Sequence, residues 1–147
     1  MKTTFLKSRW ISAAAGFACA VGLMGGMQLL NAAEPAQNRA TQVFSGKLPN
    51  VPGKSLTAVL VKYGPGEKSA SHAHAGSVFA FVISGKIRSS NSATGPAKVY
   101  QAGEGFFEPP GSIHSISENG SATEPASLLA IFVADDGAEL TKPAKSP

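Results

Sequence analysis

The chain is 147 residues long, 43% hydrophobic and 15% charged, with one cysteine and a formal net charge of +4, enough for a single domain. Three of its basic residues, Lys2, Lys7 and Arg9, open an apolar leader, and without them 10 Lys+Arg stand against 9 Asp+Glu. That near balance leaves a nucleic-acid partner or an anionic-membrane surface without compositional support, and because the lone Cys19 also lies in the leader, disulfides and thiolate metal ligation are excluded from the rest.

The leader reads as a signal peptide or a membrane anchor. Its basic start is followed by an uncharged run over residues 10–30 and by Asn31-Ala32-Ala33, small residues suited to cleavage after Ala33. Residues 1–33 are therefore either removed on export or retained as an anchor, since the run is long enough to cross a bilayer. Both outcomes place the remaining chain in the periplasm of a bacterium or secreted from it, and only the uncleaved form touches the membrane.

Residues 34–40 are a polar lead-in, and 41–48 can make a first strand. Residues 55–63, SLTAVLVKY, are rich in apolar and β-branched side chains and read as a strand buried on at least one face. Gly64-Pro65-Gly66 then turns the chain into His72-Ala73-His74. On a strand these two histidines share a face, with Cα atoms about 6.6 Å apart, so both imidazoles can reach one metal ion. Residues 78–83 are an apolar run too short and too closely bounded by glycine for a helix, and 86–89 continue outward. Residues 90–96, SNSATGP, read as a polar hairpin loop. Short strands over 97–100 and 106–108 follow, the second stopped by Pro109-Pro110-Gly111. Residues 114–117 alternate apolar and polar, 119–124 are a second polar loop, 127–133 close the sheet, and 135–147 read as a frayed tail. Such regularly spaced strands predict an all-β antiparallel barrel or jelly roll with room for one small ligand.

Two stretches that together contain all three histidines resemble the two motifs of the cupin family. The first is Gly66, five residues, His72-Ala73-His74 and, further on, Gly85. The second is Gly103, five residues, Pro109, Gly111 and His114, with Asn119 one place later than the family pattern puts it. The resemblance implies a double-stranded β-helix, the cupin-type jelly-roll barrel, over residues 41–134. It implies that His72, His74 and His114 hold one divalent transition metal, with Fe expected first and Mn, Ni, Cu or Zn as alternatives. The glycines Gly66, Gly85, Gly103 and Gly111 are expected in turns that use positive φ.

One departure bears on the chemistry. Where the first motif carries a glutamate ligand, this chain has Val78. Either the site is a neutral three-histidine set, resembling that of cysteine dioxygenase-like and gentisate dioxygenase-like cupins, or Glu108 replaces the missing carboxylate from a neighbouring strand, as a ligand or an acid–base group. A rim position is the other place for Glu108, because a buried unpaired carboxylate is costly. Tyr100 is a second candidate for acid–base work. Val78, Phe79, Phe81, Phe106 and Ile116 are expected to line the pocket and to favour an aromatic or otherwise apolar substrate portion.

Three functions are open at this level: a dioxygenase acting on a small organic acid or aromatic, a binding module that holds a small ligand or metal without turnover, and a metal-assisted lyase or isomerase that needs Glu108 or Tyr100 as its base. The partner is a small molecule in each, and a homodimer is expected because a short barrel has strand edges to cover.

Overall fold

The computed structural model describes residues 39–144; the leader and its cleavage point lie outside them. Ten strands follow in chain order: β1 (Ala40–Lys47), β2 (Lys54–Tyr63), β3 (His72–His74), β4 (Ser77–Ser84), β5 (Lys86–Asn91), β6 (Gly95–Gln101), β7 (Gly105–Glu108), β8 (Ile113–Asn119), β9 (Ala126–Asp135) and β10 (Thr141–Pro143). They form two five-stranded sheets, β1-β2-β9-β4-β7 and β10-β3-β8-β5-β6, with antiparallel pairing throughout. This is the double-stranded β-helix expected from the sequence.

The period-2 alternation of β9, ASLLAIFVAD, decides which face is inside. Ala126, Leu128, Ala130, Phe132 and Ala134 are buried while the residues between them are less so. The first four of these, with Tyr63, Val78, Ala80, Val82, Ile87 and Phe106, make one core between the sheets. Burial of a side chain such as Phe132 stabilises the fold by about 2 kcal/mol. Gly85, at φ 70°, turns β4 into β5, and a Cβ there would stand 2.5 Å from the Pro125 carbonyl oxygen, so glycine is required on both conformational and steric grounds.

The outer face of the first sheet is apolar as well. Phe44, Ala58, Ile131, Phe79 and Phe107 occupy successive places on one ladder row that crosses all five strands. Phe44, Phe79 and Phe107 are 56%, 44% and 51% exposed. Phe79 and Phe81 therefore do not line an internal pocket as the apolar run suggested; in a half-buried antiparallel strand alternate residues must face outward, and on β4 the inward set is Val78, Ala80 and Val82.

Two boundaries differ from the sequence reading. The stretch read as a loop over 90–96 is mostly strand, with only residues 92–94 turning between β5 and β6. The tail read as frayed from 135 forms β10 instead, pairing Thr141 with His74, Lys142 with Ala73 and Pro143 with His72. The barrel thus extends beyond residue 134. Pro143 is tolerated because β10 is an edge strand of its sheet.

Candidate metal centre

The two histidines of β3 lie beside β8, where His72 pairs directly with His114. His114 is also paired with Asn91 of β5, and His74 with Thr141 of β10. One sheet thus supplies all three imidazoles. Their ring centroids are 4.8 Å apart for His72 and His74, 5.0 Å for His72 and His114, and 6.3 Å for His74 and His114. One ligand nitrogen from each ring lies within 4.8 Å of the others. Two nitrogens bound to one ion stand at most about 4.2 Å apart, so the rings must close in slightly to share one.

Each ring has its tautomer fixed by an oxygen. His72 Nδ1–H donates to the Ala70 carbonyl at 2.7 Å, and His74 Nδ1–H to the Leu140 carbonyl at 3.1 Å. His114 Nδ1–H donates to Glu108 Oε1 at 3.1 Å, and the Ser89 hydroxyl donates to its Nε2 at 2.9 Å. A carbonyl or carboxylate can only accept, so the proton of each neutral ring sits on Nδ1 and the lone pair on Nε2. Outer partners of this kind orient metal-binding imidazoles. Burial lowers the pKa of His72 and of His74 below the ordinary histidine value despite the Glu108 charge, which keeps both lone pairs available at neutral pH.

Glu108 arrives from the opposite sheet. It is 2% exposed; its Oε2 accepts from Asn91 Nδ2 at 3.1 Å and stands 3.8 Å from His74 Nε2. Burial pushes this carboxyl up, but the hydrogen bond and charge of His114, the charge of His74 and the Asn91 hydrogen bond outweigh it, leaving the pKa below the usual value. Glu108 is therefore an ionised carboxylate inside the site, not a group on its rim. Asn91 is itself fully engaged, donating also to Ser112 Oγ at 2.9 Å and accepting from the Ala93 N–H at 2.9 Å.

A cavity of about 430 Å³ opens onto these groups. His72, His74, His114 and Glu108 line one part, and Val59, Val61, Phe106 and Phe132 give much of the rest an apolar wall. Of the expected pocket residues only Phe106 is among those lining it. Val78 points inward but is sealed in the core at 1% exposure. Ile116 is turned away by an irregularity: the β5–β8 register shifts between Ser90 and Asn91, so the buried positions on β8 pass from His114 to Ser117 and Asn119. Tyr100 packs its ring 4.7 Å from Phe106, with Lys98 over it at 4.9 Å, and lies outside the cavity wall. It is not placed to act as an acid or base there. Asn119 serves the fold, donating to the Gly64 and Glu124 carbonyls at 2.9 and 2.7 Å.

Ser89, Asn91, Leu140 and Thr141 did not emerge from the sequence reading. Ser89 and Asn91 face inward beside Ile87 along β5, but as polar residues, one of them within the stretch read as a loop, they carried no apolar alternation in the sequence. The Leu140 contact comes from 66 residues away and carried no signal either.

A sequence profile of the cupin domain matches residues 59–132, half of the chain. The chain belongs to the cupin family. Among solved structures, this cupin is similar to an uncharacterized conserved protein with a double-stranded β-helix domain from Klebsiella pneumoniae, at 22% identity and a TM-score of 0.56, over 78% of this chain and 91% of that one. It is similar to a Cupin 2 conserved barrel domain protein from Salinispora arenicola, at 22% identity and a TM-score of 0.50, over 65% and 74% of the two chains. It also resembles a DMSP lyase from Ruegeria pomeroyi, at 19% identity and a TM-score of 0.52, over 60% of this chain and 43% of that one. At these identities the likeness is one of fold. No curated protein matches the chain.

Proposed function

We propose that this cupin holds one divalent transition metal between His72, His74 and His114, with the Glu108 carboxylate beside them, and oxidises a small organic acid or aromatic in the manner of a dioxygenase. The observation that carries the metal reading is the convergence of the three imidazoles, one nitrogen of each lying within 4.8 Å of the others, with Nδ1–H of His72 and of His74 committed to a backbone carbonyl so that their Nε2 lone pairs are left to a metal. Imidazole and carboxylate ligands suit Fe, which we take as the ion, and also Mn, Ni, Cu and Zn. Such an ion, when bound, supplies Lewis acidity and open positions for two reactants. The protein's own groups do the rest: the rings are oriented by their hydrogen bonds, Glu108 contributes a fixed negative charge, and the apolar wall favours an apolar substrate portion beside the histidines.

The state of Glu108 favours oxidation over the lyase or isomerase reading. Both its oxygens accept hydrogen bonds and its pKa is lowered, so it is a poor acceptor for a substrate proton. Tyr100, the other candidate base, stands outside the cavity. A dioxygenase needs neither as a base. Oxygen uptake by the Fe(II)-loaded protein, measured against small phenolic, diketone and thiol acids, is the test. Substrate binding without oxygen consumption in metal-replete protein would favour a non-catalytic binding module instead.

The leader supports export as its sequence stands, and the site of action we propose is the periplasm or the medium, with residues 1–33 removed. The N-terminal sequence of the exported protein decides this; a start at Met1 makes the leader an anchor.

A further inference from the structure

The cavity has a basic end that the metal reading does not use. Arg39, immediately before β1, lines it together with Lys68. The guanidinium is held at two points, and its aromatic partner is itself fixed. Its Nη1 donates to the Lys68 carbonyl at 2.8 Å, its Cζ lies 5.8 Å from the centre of the Tyr63 ring, and the Tyr63 hydroxyl is fixed at 2.8 Å from both Ser69 Oγ and Ser117 Oγ. Its backbone is fixed too, because the Arg39 carbonyl accepts from Lys62 N–H at 2.8 Å.

Among the described residues, Nη1 is the guanidinium nitrogen that makes a hydrogen bond. Nε is buried and, among the described residues, has no hydrogen-bond partner. Glu67 Oε2 forms a long ion pair with it at 4.0 Å, beyond hydrogen-bond range, and accepts a hydrogen bond from the Gly64 N–H at 2.8 Å instead. Nε is therefore turned away from the cavity, and it is the rest of the guanidinium, which lines the cavity, that offers N–H donors and a fixed positive charge to a carboxylate. An arginine fixed in this way, with a lysine beside it and a cavity in front, is built for an anion that comes and goes.

We propose that Arg39, assisted by Lys68, grips the carboxylate of an organic monoanion whose apolar body lies along the cavity between it and the histidines. This rests on the reading of the cavity as the substrate site, and it names the substrate class: a carboxylate joined to an apolar portion. It also orients the substrate, with the acid group toward Arg39 and the opposite end toward His72, His74 and His114.

Benzoate and its neutral counterpart benzamide separate charge from shape. Each is titrated into metal-free protein and followed by backbone amide shifts in NMR spectra. Benzoate is expected to bind at least tenfold more tightly than benzamide, with the largest shifts near Arg39 and Tyr63. Arg39→Gln should abolish that preference, Arg39→Lys should restore part of it, and Lys68→Gln should weaken benzoate two- to fivefold. Unchanged Tm and unchanged metal content of Arg39→Gln show that the barrel and the metal site are intact. Equal binding of the two compounds by the wild type, or a benzoate preference that survives Arg39→Gln, overturns the proposal. Because the titrations use no metal, a wild-type protein that fails to bind metal sinks the metal reading and leaves this result standing.

Discussion

Glu108 stands directly across the β4–β7 ladder from Val78. Residues paired in this way project from the same face, so the carboxylate enters the site from the strand next to the one on which the cupin pattern carries its glutamate. Exchanging the two residues tests whether the strand of origin matters. Val78→Glu alone sets a second buried carboxylate against Glu108 and is expected to lower stability by about 3 kcal/mol, read by thermal or denaturant unfolding. The double change Val78→Glu with Glu108→Val should recover most of that loss and retain metal. A double variant as unstable as the single one would show that the two positions are not interchangeable.

Metal retention divides the roles of the site residues. His72→Ala with His74→Ala should abolish binding, measured as metal content after dialysis, while Glu108→Gln should weaken it by about 10- to 100-fold through loss of the oriented His114 and of the nearby negative charge. Full metal occupancy in the double histidine variant would refute the site.

Acid should destabilise the metal-free protein in two stages. Burial holds the His72 and His74 pKa values below the ordinary one, so as pH falls below about 6.5 the unfolded chain takes up protons that the folded chain resists. Stability is therefore present above that pH and declines as the folded values are approached. Glu108, its carboxyl held low, acts in the same direction at more acid pH. The melting temperature should be flat above pH 7 and fall from about 6.5 downward, and Asn at positions 72 and 74 should flatten the first part of that fall. A melting temperature that rises on acidification would contradict the assignment.

The phenylalanine row on the outer face of the first sheet predicts self-association. Exposed apolar patches of this continuity mark contact surfaces, and a second copy can cover the row face to face with no like charges opposed along it. The homodimer anticipated from strand edges is then expected through a face. Sedimentation should show a dimer in the micromolar range, and Phe107→Glu should shift it to monomer with little change in metal content. A wild type that remains monomeric under those conditions would remove the dimer.

Removing residues 139–147 should cost metal affinity as well as stability. The change takes away the Leu140 carbonyl that accepts from His74 Nδ1–H and the Thr141 hydroxyl 3.2 Å from the same nitrogen. Metal titration of the truncated and full-length proteins compares them directly; equal affinities would show that β10 does not orient His74.

The histidines and the strands around them were readable because their signals are local: a one-residue spacing, period-2 alternation, and glycine or proline at the turns. Phe79 and Phe81 were misplaced because a continuous apolar run does not say which residues face the core when the outer face is apolar too. Ile116 was misplaced because an irregularity in pairing changes the inward set without any mark in composition. Glu108 could not be settled between site and rim, since its partners Asn91 and His114 come from other strands. The tail defeated the reading most completely, for TKP has no strand signal of its own and is ordered by the edge of β3 that it covers.

The dependence of His74 on residues 140 and 141 also sets an order of events during synthesis. A nascent chain that has emerged only through β9 already carries all three imidazoles, yet the acceptor that fixes the His74 ring is still to come, 66 residues after the histidine itself. If the three histidines hold a metal, the last contact that orients His74 forms only when translation of the barrel is almost finished. On the metal reading proposed above, an ion met earlier would find a less well oriented set of ligands than the completed barrel offers.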